Sequence, residues 1–168
     1  MQNLLTIFRK WSTFLSIGFL LAFSLKGIAV FSQIQSVNTV QNLSFGAFTQ
    51  GEGGGTVIIA NDGSRSTTGS VIALNLGMSY FEAVFELEAP EGTIISILNG
   101  PDAILTGSNG GSMSLNIGDS SPGAPFISSV APPALTEVRI GGTLSVGDAS
   151  ASPPGIYSGT FYVTFNNE

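Results

Sequence analysis

The sequence predicts an all-β fold, an antiparallel sandwich of about eight or nine strands, and three observations carry that expectation. Residues 33–168 hold 20 glycines and all eight prolines, too many breakers for long helices but spaced as turns between short apolar runs. No stretch keeps a 3.6-residue apolar period beyond two turns, whereas apolar residues at every second position recur along the chain. Turn-forming residues fall where those runs end, at intervals of roughly ten residues, the spacing of a sandwich or barrel. A sandwich is preferred because one-sided runs are mixed with continuous runs suited to strands covered on both faces.

Residues 1–32 read as a signal peptide. Arg9 and Lys10 precede an apolar run over residues 11–25, and Lys26-Gly27 interrupts it. A run of that length is short for a bilayer span and suits a signal-peptide core, with Val30 and Ser32 placed for a cut between Ser32 and Gln33. The expectation is an exported protein, in the periplasm, on the cell surface or outside the cell, with no membrane span after processing. Residues 33–42 are polar with scattered Ile34, Val37 and Val40, and two readings stay open, a flexible arm or a first edge strand.

The sandwich domain is expected over residues 43–168. Alternating sets place Leu43, Phe45 and Ala47 on one face, then Phe81, Ala83, Phe85 and Leu87, then Met113, Leu115 and Ile117, then Val138, Ile140, Gly142, Leu144 and Val146, and last Tyr157, Gly159, Phe161, Val163 and Phe165. Residues 56–60, 70–74 and 93–98 are continuous β-branched and Leu runs, expected to be covered on both sides. Asp62-Gly63, Asn99-Gly100-Pro101 and Asn109-Gly110-Gly111 supply the tight reversals, and Ser152-Pro153-Pro154-Gly155 leads rigidly into the last strand. Residues 118–133, with four prolines, read as a surface excursion around a short strand at 126–130.

Charge and residue inventory narrow the function. The whole chain is −6, but Arg9, Lys10 and Lys26 lie in the leader, so residues 33–168 set eleven acids against Arg65 and Arg139, a net −9 without lysine. Such a surface repels nucleic acid and anionic lipid. The chain has no Cys and no His, which excludes disulfides, thiolate chemistry, Ser-His-Asp triads and the usual zinc ligand sets. No catalytic residue is assigned, and the expectation is a protein that is not an enzyme.

The remaining candidates read as structure. The loop Gly51-Glu52-Gly53-Gly54-Gly55-Thr56 lacks the lysine and the following helix of a phosphate loop, so it reads as a strand connection. Gly141-Gly142 inside an alternating strand reads as a bulge or a close backbone approach. Glu82, Glu86 and Glu88 share one strand face at roughly 6 to 7 Å spacing, within the range of glycosidase acid pairs. The reading preferred for them is a solvated face whose like charges discourage edge pairing. No cofactor is assigned. Calcium is the one ion the inventory permits, with oxygens from Asp62 and Ser64, Asp102, Asp119 and Ser120, or Asp148, although each of these reads better as a turn residue. Arg65 is expected to pair with a carboxylate or cap strand ends.

Three stretches together resemble a known family. They are Leu43-Ser44-Phe45-Gly46 with Gly54-Gly55-Thr56-Val57, then Asp62-Gly63-Ser64-Arg65-Ser66 with Gly69, then Gly141-Gly142-Thr143-Leu144 with Gly155-Ile156-Tyr157-Ser158-Gly159-Thr160-Phe161 and Val163. In order and spacing they resemble the secreted bacterial family called domain of unknown function 4402. The resemblance implies an immunoglobulin-like sandwich related to pilin-like domains of the spore coat protein U type, in the cell envelope or outside the cell, with no established activity. As in chaperone-assembled pilins, Phe161, Val163 and Phe165 alternate and Gly155 is fourteenth from the end, whereas Asn167 stands at the penultimate position where those pilins carry an aromatic.

An exposed edge of alternating Phe and Val is a template for strand addition, so Tyr157, Phe161, Val163 and Phe165 are the candidate edge-strand interaction residues. Whether that strand is donated, accepts a partner or pairs internally stays open. The leading expectation is a structural or adhesive subunit that meets copies of itself or other envelope proteins by strand addition. The alternative is a monomeric binding module for glycan or calcium.

Overall fold

The structure, a computed structural model, describes residues 33–168, so the leader and the Ser32 side of the expected cut lie outside the described residues. Among the described residues there is no helix, and hence none long and apolar enough to cross a membrane. The strands are β1 (Ser36–Gln41), β2 (Ser44–Phe45), β3 (Phe48–Thr49), β4 (Gly55–Ile59), β5 (Arg65–Gly69), β6 (Ile72–Ala73), β7 (Tyr80–Phe81), β8 (Ala83–Glu88), β9 (Ile94–Asn99), β10 (Ala103–Gly107), β11 (Ser112–Ser121), β12 (Phe126–Ile127), β13 (Thr136–Val146), β14 (Tyr157–Ser158) and β15 (Val163–Asn167). Six of these fifteen segments are two residues long, which leaves nine strands of five residues or more. Strand pairing is antiparallel throughout.

The long strand β13 organises the larger sheet. One of its edges pairs with β11; the other pairs with β8 over 136–140 and with β4 over 142–146. Gly141 stands at this fork, where β4 leaves the ladder: a Cβ there would fall on the Ile59 carbonyl oxygen and against Ala60. Opposite it, the register between β11 and β13 slips around Gly118 and Asp119, so this glycine pair marks both a bulge and a close backbone approach. Beyond β11 come β10 and then β14 at the edge; β1 closes the edge beyond β8, and β5 the edge beyond β4. A smaller sheet runs β12-β9-β15, and two short ribbons pair β2 with β7 and β3 with β6.

The core lies between the sheets, giving an all-β, sandwich-like arrangement. Every alternating apolar residue expected of β11 and β13 is buried, and Val57, Leu87, Ile95, Val138 and Ile140 are almost wholly enclosed. Each such side chain contributes about 2 kcal/mol of transfer free energy. Across the core the rings of Phe85 on β8 and Phe165 on β15 meet edge to face, their centroids 5.4 Å apart.

Residues 33–42 take the second of their two readings, an edge strand: β1 pairs with β8 from Ser36↔Glu88 to Gln41↔Val84, a thin edge on which Val37 and Val40 stay exposed. Other local expectations are corrected. Residues 70–74 and 93–98 are covered on one side only, since Ile72, Ile94 and Leu98 face solvent. The proline-rich excursion starts after β11 ends at Ser121 and contains β12, the short strand expected there. The last strand is two pieces, β14 in the large sheet and β15 in the small one. Residues 159–162 cross between them, because Gly159 packs against the main chain of Ile104 and Leu105.

Candidate functional site

A groove of about 940 Å³ lies between two chain segments, residues 42–50 and 153–163. Neither wall is a long strand. On one side β2 and β3 each hold only two ladder residues; on the other the chain leaves β14 and has yet to join β15. The floor is the open flank of the core: Phe85, Leu105, Met113, Leu115 and Leu144. None of the lining residues is charged, in a domain whose net charge is −9.

The first wall is held by Arg65. Its guanidinium donates to the carbonyls of Phe45 and Ala47 at 3.1 and 3.2 Å and to that of Leu74 at 3.2 Å, and it stacks on Tyr80, 4.2 Å from the ring centroid. Arg65 therefore caps strand ends rather than pairing with a carboxylate. Gly46, with φ of +66°, lets the chain turn between β2 and β3 directly against that guanidinium. At one end of the groove the Gln50 amide donates to the Ser152 carbonyl and ties the walls together.

The second wall carries three of the expected edge residues, Tyr157, Phe161 and Val163, and Phe165 lies just beyond it on β15. Tyr157, Phe161, Val163 and Phe165 are all half-buried against the core, and the alternation persists across the break between β14 and β15. Tyr157 donates its hydroxyl to the Pro153 carbonyl at 2.6 Å. Tyr162 and Ile156 line the groove yet are 71% and 74% exposed. Among the described residues, the main chain of residues 159–161 has no hydrogen-bonded partner. Backbone donors and acceptors left in this state beside an apolar floor form a template for an added strand.

The three glutamates do not share one solvated face. Phe81 belongs to the β2–β7 ribbon and the chain bends after it, so residues 82–84 are all buried. The Glu82 carboxylate receives Arg139 at 3.0 Å and lies under the turn at Gly63, while Arg139 also donates to Glu137 at 2.7 Å. Glu86 and Glu88 are half-buried on β8. Of the acidic residues considered for calcium, Asp119 is exposed where the β11–β13 register slips, and the other three are held in local bonds. Asp62 accepts from the Ser64 amide at 2.9 Å, Asp102 from the Asn116 amide side chain at 2.8 Å, and Asp148 from the amides of Ser150 and Ala151 at 2.9 Å each. Among the described residues no three acidic side chains gather as a metal site.

The geometry of the motif residues is thus defined. The family model described as Domain of unknown function (DUF4402) matches residues 35–166. The chain belongs to that family. No curated protein and no solved structure matches it. In this DUF4402 domain the stretches that carry the resemblance are structural devices: Asp62 to Arg65 form a turn and the clamp on the groove wall, Gly141 is the fork of β13, and residues 155–161 are the second wall.

One surface of the DUF4402 domain escaped the sequence reading. From Ile72 to Phe81 the chain is almost continuously exposed, with Ile72, Leu76 and Met78 at 62%, 69% and 59%. Its signal was an alternation at 72, 74, 76, 78 and 80 without a charge, hidden because residues 70–74 resemble a strand covered on both faces. Met78 and Ser79 reach the groove and line its rim.

Proposed function

We propose that this DUF4402 domain is a non-enzymatic structural or adhesive subunit of the cell surface, pilin-like in working through strand pairing and surface contact. The observation that carries the reading is the uncharged groove whose second wall includes a main-chain stretch, residues 159–161, without hydrogen-bonded partners among the described residues. An extended segment laid there pairs with that backbone and seats alternate side chains on Phe85, Leu105 and Leu144, the chemistry of β-augmentation. Export fits the reading: the leader directs the chain out of the cytoplasm, and the domain relies on neither thiol nor disulfide. Catalysis has no part in the reading, in which Asp62 and Asp148 bind turn amides, Asp102 binds Asn116, and Glu82 and Glu137 hold Arg139.

The test is the assembly state of the purified protein across a concentration series, by analytical ultracentrifugation and electron microscopy, beside a Tyr162→Glu variant. Tyr162 is exposed and lines the groove, so the substitution places a charge there without disturbing the core. Assemblies that the variant disperses support the reading. A protein that stays a single chain throughout, alone and with its envelope fraction, overturns it.

A further inference from the structure

We infer that Gln33, once the leader is removed, is a modification site: its α-amino nitrogen closes onto its own side-chain amide to give an N-terminal lactam. The inference rests on the expected cut between Ser32 and Gln33 and goes beyond it by naming what the new terminus becomes.

The fold leaves Gln33 free to react. Main-chain pairing at this end of the domain begins at Gln35, whose backbone amide donates to the Glu88 carbonyl at 2.7 Å, and Ile34 packs against the core. Gln33 itself is exposed, and among the described residues it has no hydrogen-bonded partner. The side-chain amide of Gln41, by contrast, is bound to the Glu82 carbonyl at 2.9 Å. A cut before Gln33 thus leaves the β1 ladder whole and sets a new α-amine on a residue whose own amide is unheld.

The reaction needs no second molecule. Closure forms a five-membered ring, and attack within one residue is strongly favoured over the bimolecular equivalent. The nitrogen bonds to Cδ, the Cδ–Nε2 bond breaks, and Nε2 leaves as ammonia with a proton given up by the amine. An α-amine titrates at about 8, so neutral pH supplies the unprotonated nucleophile. No oxidant, reductant or cofactor enters.

The residue inventory gives the lactam its consequence. Residues 33–168 contain no lysine and no cysteine, so the α-amine of Gln33 is the one primary amine of the processed chain. After closure the domain has neither amine nor thiol, and any assembly it forms holds without a covalent link through either group. Its cations are Arg65 and Arg139, both engaged within the fold. A terminus without an ammonium is also closed to aminopeptidases, which hold their substrates by that group, and exposed chain ends are where proteolysis concentrates. Trimming from an open terminus would run into β1, the strand that closes the edge beyond β8.

The experiment expresses the full chain with its leader in an exporting bacterial host. Freshly purified wild type and Gln33→Ala are compared by intact mass spectrometry and by labelling with an amine-reactive ester. The inference expects wild type to begin at residue 33, lighter by one ammonia than the open chain, and to take up no label, while Gln33→Ala takes one label per chain. Added aminopeptidase is expected to shorten Gln33→Ala and to leave wild type intact. A wild-type chain that begins at residue 33, keeps its ammonia and takes the label overturns the inference while the cut stands. A lactam that accumulates only on storage of the purified protein overturns it as well. A terminus at any other residue overturns both the inference and the cut.

Discussion

The guanidinium of Arg65 lies over the ring of Tyr80, 4.2 Å from its centroid, while donating to the carbonyls of Phe45, Ala47 and Leu74. One side chain thereby joins β5 to both short ribbons and fixes the wall of the groove. With three carbonyls and one aromatic face depending on it, Arg65→Ala is expected to cost about 3 kcal/mol, lowering the melting temperature by roughly 10 °C. Arg65→Lys recovers little of this, because an ammonium lacks the planar fork that reaches carbonyls on two segments. Thermal unfolding followed by circular dichroism checks it; a variant as stable as wild type contradicts the clamp.

The second arginine predicts an order of effects. Arg139 bonds Glu82, nearly buried, and Glu137, half in solvent. Removing Arg139 strands the Glu82 carboxylate in the protein, whereas removing Glu137 leaves the inner pair intact. Arg139→Ala is therefore expected to lower the melting temperature more than Glu137→Ala, and equal losses argue against the inner pair.

Asp62 gives a pH dependence. Hydrogen bonds from Ser64, side chain first and then backbone, hold its carboxyl below the ordinary aspartate value. A carboxyl with a lower pKa folded than unfolded adds stability that is complete above the unfolded value of about 4 and is lost as pH falls through the folded value. The gap in melting temperature between wild type and Asp62→Ala should be widest at neutral pH and narrow in acid. A gap that is constant with pH contradicts this account of the turn.

Adjacent glycines in the 51–56 loop behave differently. Gly54 has φ of +62°, and a Cβ there falls on the Val146 carbonyl; at Gly53 the nearest atom is the Ser70 hydroxyl at 3.7 Å. Gly54→Ala is expected to cost at least about 2 kcal/mol, and Gly53→Ala to stay within about 0.5 kcal/mol. Urea denaturation separates the two. Equal tolerance shows that the loop does not need its close approach to β13.

Period-two alternation made β8, β11 and β13 legible, because each places its apolar side chains against one core. Asp62-Gly63 was legible as a turn for its side-chain chemistry. β5 was not, since Ser66, Thr67 and Thr68 carry no apolar signal and the strand is held by its main-chain ladder to β4 and by a Thr56–Thr68 hydroxyl contact of 2.7 Å. The burial of Glu82 depends on Arg139, 57 residues away, and on a bend that its local pattern conceals. The groove was half legible. Tyr157, Phe161 and Val163 marked one wall, but the facing wall is held by Arg65, and no spacing in the sequence links Arg65 to Phe45 and Ala47.

The central claim is that the backbone at residues 159–161 accepts a strand, and amide hydrogen exchange reads it directly. In dilute protein these amides should exchange fast, since nothing among the described residues binds them. In concentrated, assembled protein they should become protected, and Tyr162→Glu should abolish that protection. Exchange that stays equally fast in the assembled state contradicts strand addition at this groove.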